Sequence, residues 1–330
     1  MERTAVDVRV VTQEGVQTRD PADIAALLHG PDLVWIDVPR WDEAAATALV
    51  EPLGLHAGAV HDCAERNSLP KVHLYPDHAF VVLHAPEAGP QGHVHYIELD
   101  QFIGSNWIVT VHGPLGVGVD PAAAQTETRA VLRRLEAGRL HVDSAAALSY
   151  ALVTALTGRL REFLATLTQE VWRLEQTVTA GHFGDAQDFL EELFRARHGL
   201  LAARTMAALA REVYGRMRAQ LAFGKDAVNL LADAEDQFGR IAAIADTQRE
   251  YLQGVIEFYQ TRTNTKMTIA AERLAVIAAV TLPVTAISSI VGMNVIVNNE
   301  THWGWLLMLL AGMLVMSVAV LIWARRQGWW

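Results

Sequence analysis

Two long apolar stretches near the C-terminal end dominate the hydrophobic pattern of the chain. Neither Leu274–Val291 nor Trp305–Ala324 contains a charged side chain. Each stretch matches the roughly 17–25 residues that a helix needs to cross a bilayer. The second is bounded by tryptophans and followed by Arg325 and Arg326, which are typical anchors at a membrane interface. The pattern predicts two membrane spans, with a buried core helix as the alternative for the first.

Basic residues precede the first stretch and follow the second. They are Arg262, Lys266 and Arg273 before the first stretch, and Arg325 and Arg326 after the second. The connection Gly292–His302 contains no Lys or Arg and one Glu. The positive-inside rule therefore predicts cytoplasmic termini and an external connection, in a multi-pass protein of the cell's inner (plasma) membrane. The N-terminal residues lack the apolar core of a signal peptide, and the single Cys63 fits a reducing compartment.

The first 140 residues alternate between strand-like and helix-like runs. Four runs rich in β-branched and aromatic residues are bounded by Gly, Pro or Asn, which predicts strands. These runs are Leu33–Pro39, His78–Pro86, Val94–Gly104 and Asn106–Pro114. Helical patterns intervene after Asp20 and Asp42, which are placed to cap them. A mixed α/β unit is expected.

The following residues are almost entirely helix-favouring. Asp143 and Ser144 can cap a helix that runs to the break at Gly181–Asp185, where a second helix starts. From Asn229 onward no proline occurs before Pro283. A continuous helix of about 60 residues would reach roughly 90 Å, too long to be buried in one small domain. We therefore expect it to pack against copies of itself.

The predicted fold is an α+β membrane protein with a helical stalk that continues into the first span. Its expected segments are a cytoplasmic α/β domain (1–140), a cytoplasmic helical region (141–228), a stalk helix with the first span (229–291), an external loop (292–302), a second span (303–324) and a basic tail (325–330).

Composition narrows the classes of function. The chain has 330 residues with 37 acidic and 27 basic side chains. An acidic excess argues against a nucleic-acid surface, which needs clustered Lys and Arg, and it suits a protein that meets cations. The glycine-rich run at Gly113–Pro121 lacks the Lys-Ser/Thr of a phosphate loop, and no nucleophile–base pairing was found. We therefore do not expect an enzyme.

Small and weakly polar residues recur along one face of the first span. With Leu274 beside them, they form a set that we call the pore stripe: Thr268, Ala271, Leu274, Ala278, Leu282 and Thr285. Their spacing keeps them on one side of a helix. In a ring of subunits the stripe could line a path for a hydrated cation such as Mg²⁺, and Pro283 would free a carbonyl toward it. Ordinary small-residue helix packing is the alternative interpretation.

The tripeptide Gly292-Met293-Asn294, at the outer end of the first span, resembles the signature of the CorA family of divalent-cation channels. The resemblance extends to Pro283 and Thr285, to the Trp-containing basic C-terminus, and to "RNSLPKVHLYPDHAFVVLHAP" in the soluble part. It implies a homopentameric funnel in the lipid bilayer. It further implies an outer ion site of Gly292, Met293, Asn294 and Glu300, with Thr285 as a second polar ring and Leu282 and Leu274 as a constriction.

The resemblance also implies that cytoplasmic Mg²⁺ gates the channel. Asp233 lies where the family places an acid that binds regulatory Mg²⁺ between subunits, and Asp236 and Glu257 are further matching acids. Glu87 is the candidate partner acid across the interface. A solvated helix face is the alternative interpretation of the three stalk acids. Mg²⁺ is thus expected as both transported and regulatory ion.

Several departures keep other cargoes open. Val291 and Val295 stand where family members usually carry aromatic residues, and His302 is unusual at such a mouth. Imidazole suits zinc and other borderline metals better than Mg²⁺. The alternatives are a ZntB-type transporter of Zn²⁺ (or of Co²⁺ or Ni²⁺), which shares the fold, and a non-conducting membrane scaffold or sensor.

Overall fold

The computed structural model describes residues 6–12, 14–89, 92–116, 119–181, 185–220, 222–292 and 303–327. It divides into two compact units, Met1–Val255 and Ile256–Trp330. The first unit contains a mixed sheet, and the strands in the described residues are β1 (Asp7–Thr12), β2 (Gly15–Arg19), β3 (Leu33–Val38), β4 (Lys71–Leu74), β5 (Ala79–Ala88), β6 (Val94–Ile103) and β7 (Trp107–His112). The helices are α1 (Ile24–Leu27), α2 (Glu43–Leu53), α3 (Ala57–Ala64), α4 (Pro121–Ala124), α5 (Thr126–Glu136), α6 (Ala145–Ala180), α7 (Ala186–Ala219), α8 (Val228–Gly292) and α9 (Trp303–Arg326).

The strands form one sheet in the order β2-β1-β3-β7-β6-β5-β4. The pairing of β3 with β7 is parallel, and the other pairings are antiparallel. All six residues of β3 and of β7 are buried, because the centre of the sheet is covered on both faces. The four strands predicted from sequence are confirmed as β3, β5, β6 and β7.

The two faces of the sheet carry different cores. Val34, Ile36 and Val38 point to one face and pack against α1, α2 and α3. The intervening side chains, such as Trp35, point to the face that carries α5 and α6, since alternate residues of a strand lie on opposite sides. This second face also holds a buried polar group: the Trp35 indole donates to the Thr110 hydroxyl at 3.0 Å.

Helix caps in the first unit follow the sequence. The Asp20 and Asp42 side chains accept hydrogen bonds from backbone N–H groups of the following turns. Ser144 caps α6 by accepting from Ala147, and Asp185 caps α7 by accepting from Gln187 and Asp188. The predicted starts of these helices are therefore confirmed.

The long helices α6 and α7 pack closely against one another. A Cβ added to Gly199 of α7 would lie 2.8 Å from the Leu167 side chain of α6, so the glycine allows the close approach. The first part of α8 joins this packing within the first unit. Phe238 of α8 is fully buried and stacks on Tyr214 of α7 with ring centroids 5.7 Å apart.

The second unit contains the rest of α8 together with α9. Both α8 and α9 are long and apolar enough to cross a membrane. Their apolar side chains are exposed rather than packed in a protein core: Leu274 and Leu282 are each 67% exposed. This exposure disagrees with a buried core helix, the alternative considered for Leu274–Val291.

Candidate ion-transport site

The pore stripe lies along α8 in the second unit. At 100° per residue, its six members occupy a sector of about 120° of the helix surface. Thr268, Ala271, Leu274, Leu282 and Thr285 are exposed, and Ala278 is half-buried. The chain itself therefore leaves this face of the helix uncovered along most of its length.

The two threonines of the stripe have their hydroxyl protons committed within the helix. The Thr268 hydroxyl donates to the Asn264 carbonyl at 3.0 Å, and the Thr285 hydroxyl donates to the Thr281 carbonyl at 2.8 Å. What each hydroxyl can still offer outward is oxygen lone pairs. Such groups accept hydrogen bonds from the water shell of a cation and do not donate to it.

Pro283 lies inside α8, which continues beyond it to Gly292. Proline has no N–H group, so it cannot donate to the carbonyl of Ala279 one turn earlier. The interruption falls one residue from Leu282 and two from Thr285. The Ala279 carbonyl oxygen, without its helical donor, adds another acceptor beside Ala278 of the stripe.

The signature tripeptide is only partly within the described residues. Gly292 is the last residue of α8 and is exposed, and a Cβ added to it would meet no atom within 4 Å. Met293, Asn294 and Glu300 lie outside the described residues, as does His302.

Asp233 lies on α8 in the first unit and faces α6. Its Oδ2 accepts a hydrogen bond from the Tyr150 hydroxyl at 2.5 Å and another from the Gln237 amide at 2.6 Å. These two donors, the Tyr150 hydroxyl first, hold the pKa of Asp233 below its usual range. Asp233 is therefore a charged and oriented carboxylate, whereas Asp236 and Glu257 lie exposed on the same helix.

Glu87 lies in an ion pair that the sequence did not predict. The Arg159 guanidinium of α6 lies 2.5 Å from Glu87 and 3.1 Å from Glu127, and it also donates to the Ala123 carbonyl. The Glu127 side chain is only 3% exposed, so Arg159 balances a buried charge as well as Glu87. A cation at Glu87 would have to compete with Arg159.

Within the described part of the chain, no group of three or more His, Cys, Asp or Glu side chains is arranged to hold a metal ion. His93 immediately precedes β6 and His95 lies in it, and their rings meet edge to face with centroids 4.9 Å apart. Any site built on the described acids would therefore take ligands from water or from another copy of the chain.

Fold and site together define a class: a membrane protein with a soluble α/β unit, long helices, and two apolar helices next to the C-terminus. The family model for the CorA-like Mg²⁺ transporter protein matches residues 30–326. The chain belongs to this family of divalent-cation transporters.

Individual relatives agree with this assignment. The chain is 23% identical over 321 residues to the cobalt/magnesium transport protein CorA of Thermotoga maritima. This alignment covers 95% of this chain and 88% of that protein. The complete CorA magnesium transporter from Methanocaldococcus jannaschii matches with a TM-score of 0.80 at 17% identity, over all of both chains. The structure of the full-length CmaX protein matches with a TM-score of 0.77 at 19% identity, over 98% of this chain and 99% of the CmaX chain.

A ZntB cytoplasmic domain has a similar fold over part of the chain. The ZntB cytoplasmic domain from Vibrio parahaemolyticus matches with a TM-score of 0.58 at 11% identity, covering 78% of this chain and 98% of that one. At these identities the solved structures support the fold alone.

Proposed function

We propose that the protein is a Mg²⁺ channel of the CorA type in the cell's inner membrane. It would work as a homopentamer with cytoplasmic termini, in which α8 from each subunit lines the pore and the segment 292–302 forms the external mouth. Residues 1–140 and 141–228 would form the cytoplasmic part, with the stalk at 229–291. The second span, 303–324, would surround the ring, with the basic tail 325–330 inside.

The observation that carries the proposal is the acceptor-only face of α8. A hydrated cation presents water hydrogens to its surroundings, so it is best contacted by oxygen lone pairs. Thr268 and Thr285 provide such lone pairs because their own protons are used inside the helix. Mg²⁺ loses its water reluctantly, so a path without carboxylates fits this ion. The T. maritima and M. jannaschii relatives are named for magnesium transport, which agrees.

Roles follow for the remaining pore residues. The Asn294 amide would hold the hydrated ion at the outer mouth, with Gly292 allowing neighbouring backbones to approach and Met293 packing behind. Glu300 would attract cations to the mouth. Leu274 and Leu282 would form the apolar constriction, with Ala278 between them and Ala271 one turn before Leu274.

Regulation would act through the stalk acids. Asp233, with Asp236 and Glu257 on the same helix, would bind cytoplasmic Mg²⁺ between subunits and favour the closed ring, because the ion turns repulsion between facing carboxylates into attraction. Glu87 would take part only if Arg159 moves away from it, since the two are paired in one chain.

Mg²⁺ flux into liposomes tests the proposal directly. Asn294→Ala should abolish uptake while leaving the oligomer assembled, because an outward amide contributes little to packing. Wild-type flux in this variant would remove Asn294 from the mechanism, and absence of flux in the wild-type protein would favour a non-conducting scaffold or sensor.

Cysteine accessibility tests the pore-lining face. The chain has a single cysteine, and Cys63 is buried, so an introduced thiol can be followed with little background. Leu282→Cys should react with a water-soluble thiol reagent in the open channel. Val280→Cys is the control at the same depth but on the opposite side of the helix. Equal reaction at both positions would contradict a pore along the stripe.

Zinc transport of the ZntB type is the second candidate. Two observations favour it: the shared fold of the ZntB cytoplasmic domain and the imidazole of His302 in the external segment. A panel of Mg²⁺, Co²⁺, Ni²⁺ and Zn²⁺ in the same liposomes decides between them, and uptake of Zn²⁺ in preference to Mg²⁺ would select zinc.

A further inference from the structure

Four side chains join α6 to α8 around Asp233. We call Tyr150, Thr157, Asp233 and Gln237 the polar ladder. Besides the two bonds to Asp233 Oδ2, the Thr157 hydroxyl donates to Gln237 Oε1 at 2.6 Å. The Gln237 amide nitrogen also lies 3.3 Å from the Tyr150 hydroxyl. Thr157 is fully buried and Gln237 is 9% exposed, so the bond between them forms in a largely dry setting, whereas Tyr150 and Asp233 are half-buried.

The ladder fixes the direction of each donor. Because Gln237 Oε1 accepts the Thr157 proton, its NH₂ group faces Asp233. The reversed amide would place an oxygen against the carboxylate, which is unfavourable. Both donors meet the same carboxylate oxygen, Oδ2, and neither engages Oδ1.

A carboxylate held in this way is suited to bind a cation through one oxygen. Hydrogen bonds from outside the coordination shell orient a ligand and reduce what it loses in side-chain entropy when an ion arrives. The ladder also connects Asp233 to the sheet. Tyr150 is adjacent to Ser149, whose hydroxyl donates to Gln101 of β6 at 2.7 Å.

We propose that Tyr150 and Gln237 are positioning residues, which hold Asp233 Oδ2 and present Oδ1 to a divalent cation from the cytoplasm. The inference rests on the proposed regulatory role of Asp233. An ion bound there would be coupled through Tyr150 to α6, and through Ser149 to the sheet, so the soluble unit would respond to the ion together with the stalk.

The test uses the full chain in liposomes and the Mg²⁺ concentration that gives half-maximal protection from trypsin. Tyr150→Phe removes one donor and keeps the ring. It should raise this concentration by about tenfold, the lower end of the usual effect of losing an outer-shell partner. Gln237→Leu should change it in the same direction.

Tyr251→Phe is the matched control. The Tyr251 hydroxyl of α8 bonds the Glu175 side chain of α6, so it also joins the two helices through a tyrosine and an acid, but away from Asp233. This variant should need the same Mg²⁺ concentration as the wild type for half-maximal protection from trypsin. In an Asp233→Asn background, Tyr150→Phe should cause no further change.

Three results would overturn the inference. The Mg²⁺ concentration for half-maximal protection could stay at the wild-type value in Tyr150→Phe, or it could rise equally in Tyr251→Phe. Alternatively, Tyr150→Phe could raise it by the same factor in the Asp233→Asn background. A wild-type protein without Mg²⁺ protection would overturn it too. Mg²⁺ flux measured in the same liposomes tests the transport proposal separately. If the protein conducts Mg²⁺ but the variants do not change the Mg²⁺ concentration for half-maximal protection, transport stands and only the positioning role is lost.

Discussion

The buried Asp100 leads to a prediction about pH and stability. Asp100 of β6 is fully buried, and no N–H or O–H group of the described residues donates to either of its carboxylate oxygens. Burial, followed by the neighbouring Glu98, raises the pKa of Asp100 well above its usual range. Burial also raises the pKa of Glu98, but Asn67 donates two hydrogen bonds to Glu98, at 2.8 Å and 2.5 Å. The proton of the pair therefore lies on Asp100.

The sign and size of the effect follow from proton linkage. The folded chain keeps Asp100 protonated, whereas the unfolded chain releases the proton above about pH 3.9. Stability from this group is complete below that pH and is lost as the pH rises toward the folded-state pKa. The loss is about 1.4 kcal/mol per pH unit. Asp100→Asn keeps the shape without the titrating proton, so between the unfolded-state and folded-state pKa values the variant should gain about 1.4 kcal/mol relative to wild type for each pH unit.

Thermal unfolding of the full chain in detergent at pH 5, 6 and 7 measures the stability difference between Asp100→Asn and wild type. The midpoint difference between Asp100→Asn and wild type should widen by roughly 3–6 °C per pH unit for a unit of this size. Asp32→Asn, which removes an exposed carboxylate before β3, is the control. A difference that stays constant with pH, or narrows as the pH rises, would refute a protonated Asp100.

Three further outcomes are expected. The assembled protein should have a mass of about five times 36.2 kDa in nanodiscs, and a transporting monomer or dimer would contradict the pentamer. Asp233→Ala should weaken inhibition of flux by internal Mg²⁺ without affecting the outer site; an unchanged inhibition curve would remove Asp233 from the regulatory site. Asp37→Asn should lower the free energy of unfolding by about 3–5 kcal/mol, because Asp37 pairs with the buried His112 at 3.0 Å; a thermal midpoint close to wild type would argue against this.

The elements that could be predicted from the sequence are those that a local pattern of apolar, turn or capping residues identifies. β3, β5, β6 and β7 are runs rich in β-branched and aromatic residues between turn residues, and α6 and α7 start at capping side chains. β1 and β2 were not predicted. Two of the five residues of β2 are half-buried and three are exposed, so its pattern carries little sign of a strand. β4 has four residues and gains its stability from pairing with β5.

The chemistry around the candidate acids could not be predicted, because the partners are far apart in the chain. Glu87 and Arg159 are separated by 72 residues, and Tyr150 and Asp233 by 83. Single-sequence patterns describe which face of a helix is apolar, but not which side chain of another helix meets it. Asp233 was singled out by the family resemblance, whereas the donors that orient it emerge only from the packing of α6 on α8.

The membrane part of α8 has two unlike faces, which argues for two unlike surroundings. Opposite the pore stripe, β-branched apolar residues recur at helical spacing: Ile269, Val276, Ile277, Val280, Val284 and Ile287. Lipid alone would not separate these from the Thr, Ala and Leu of the stripe, since hydrocarbon accepts all apolar side chains alike. Threonine oxygens and the Ala279 carbonyl, which lacks a donor because of Pro283, need polar contact, and lipid offers none. A helix with apolar neighbours on one side and a hydrated path, shared with its copies, on the other satisfies both faces.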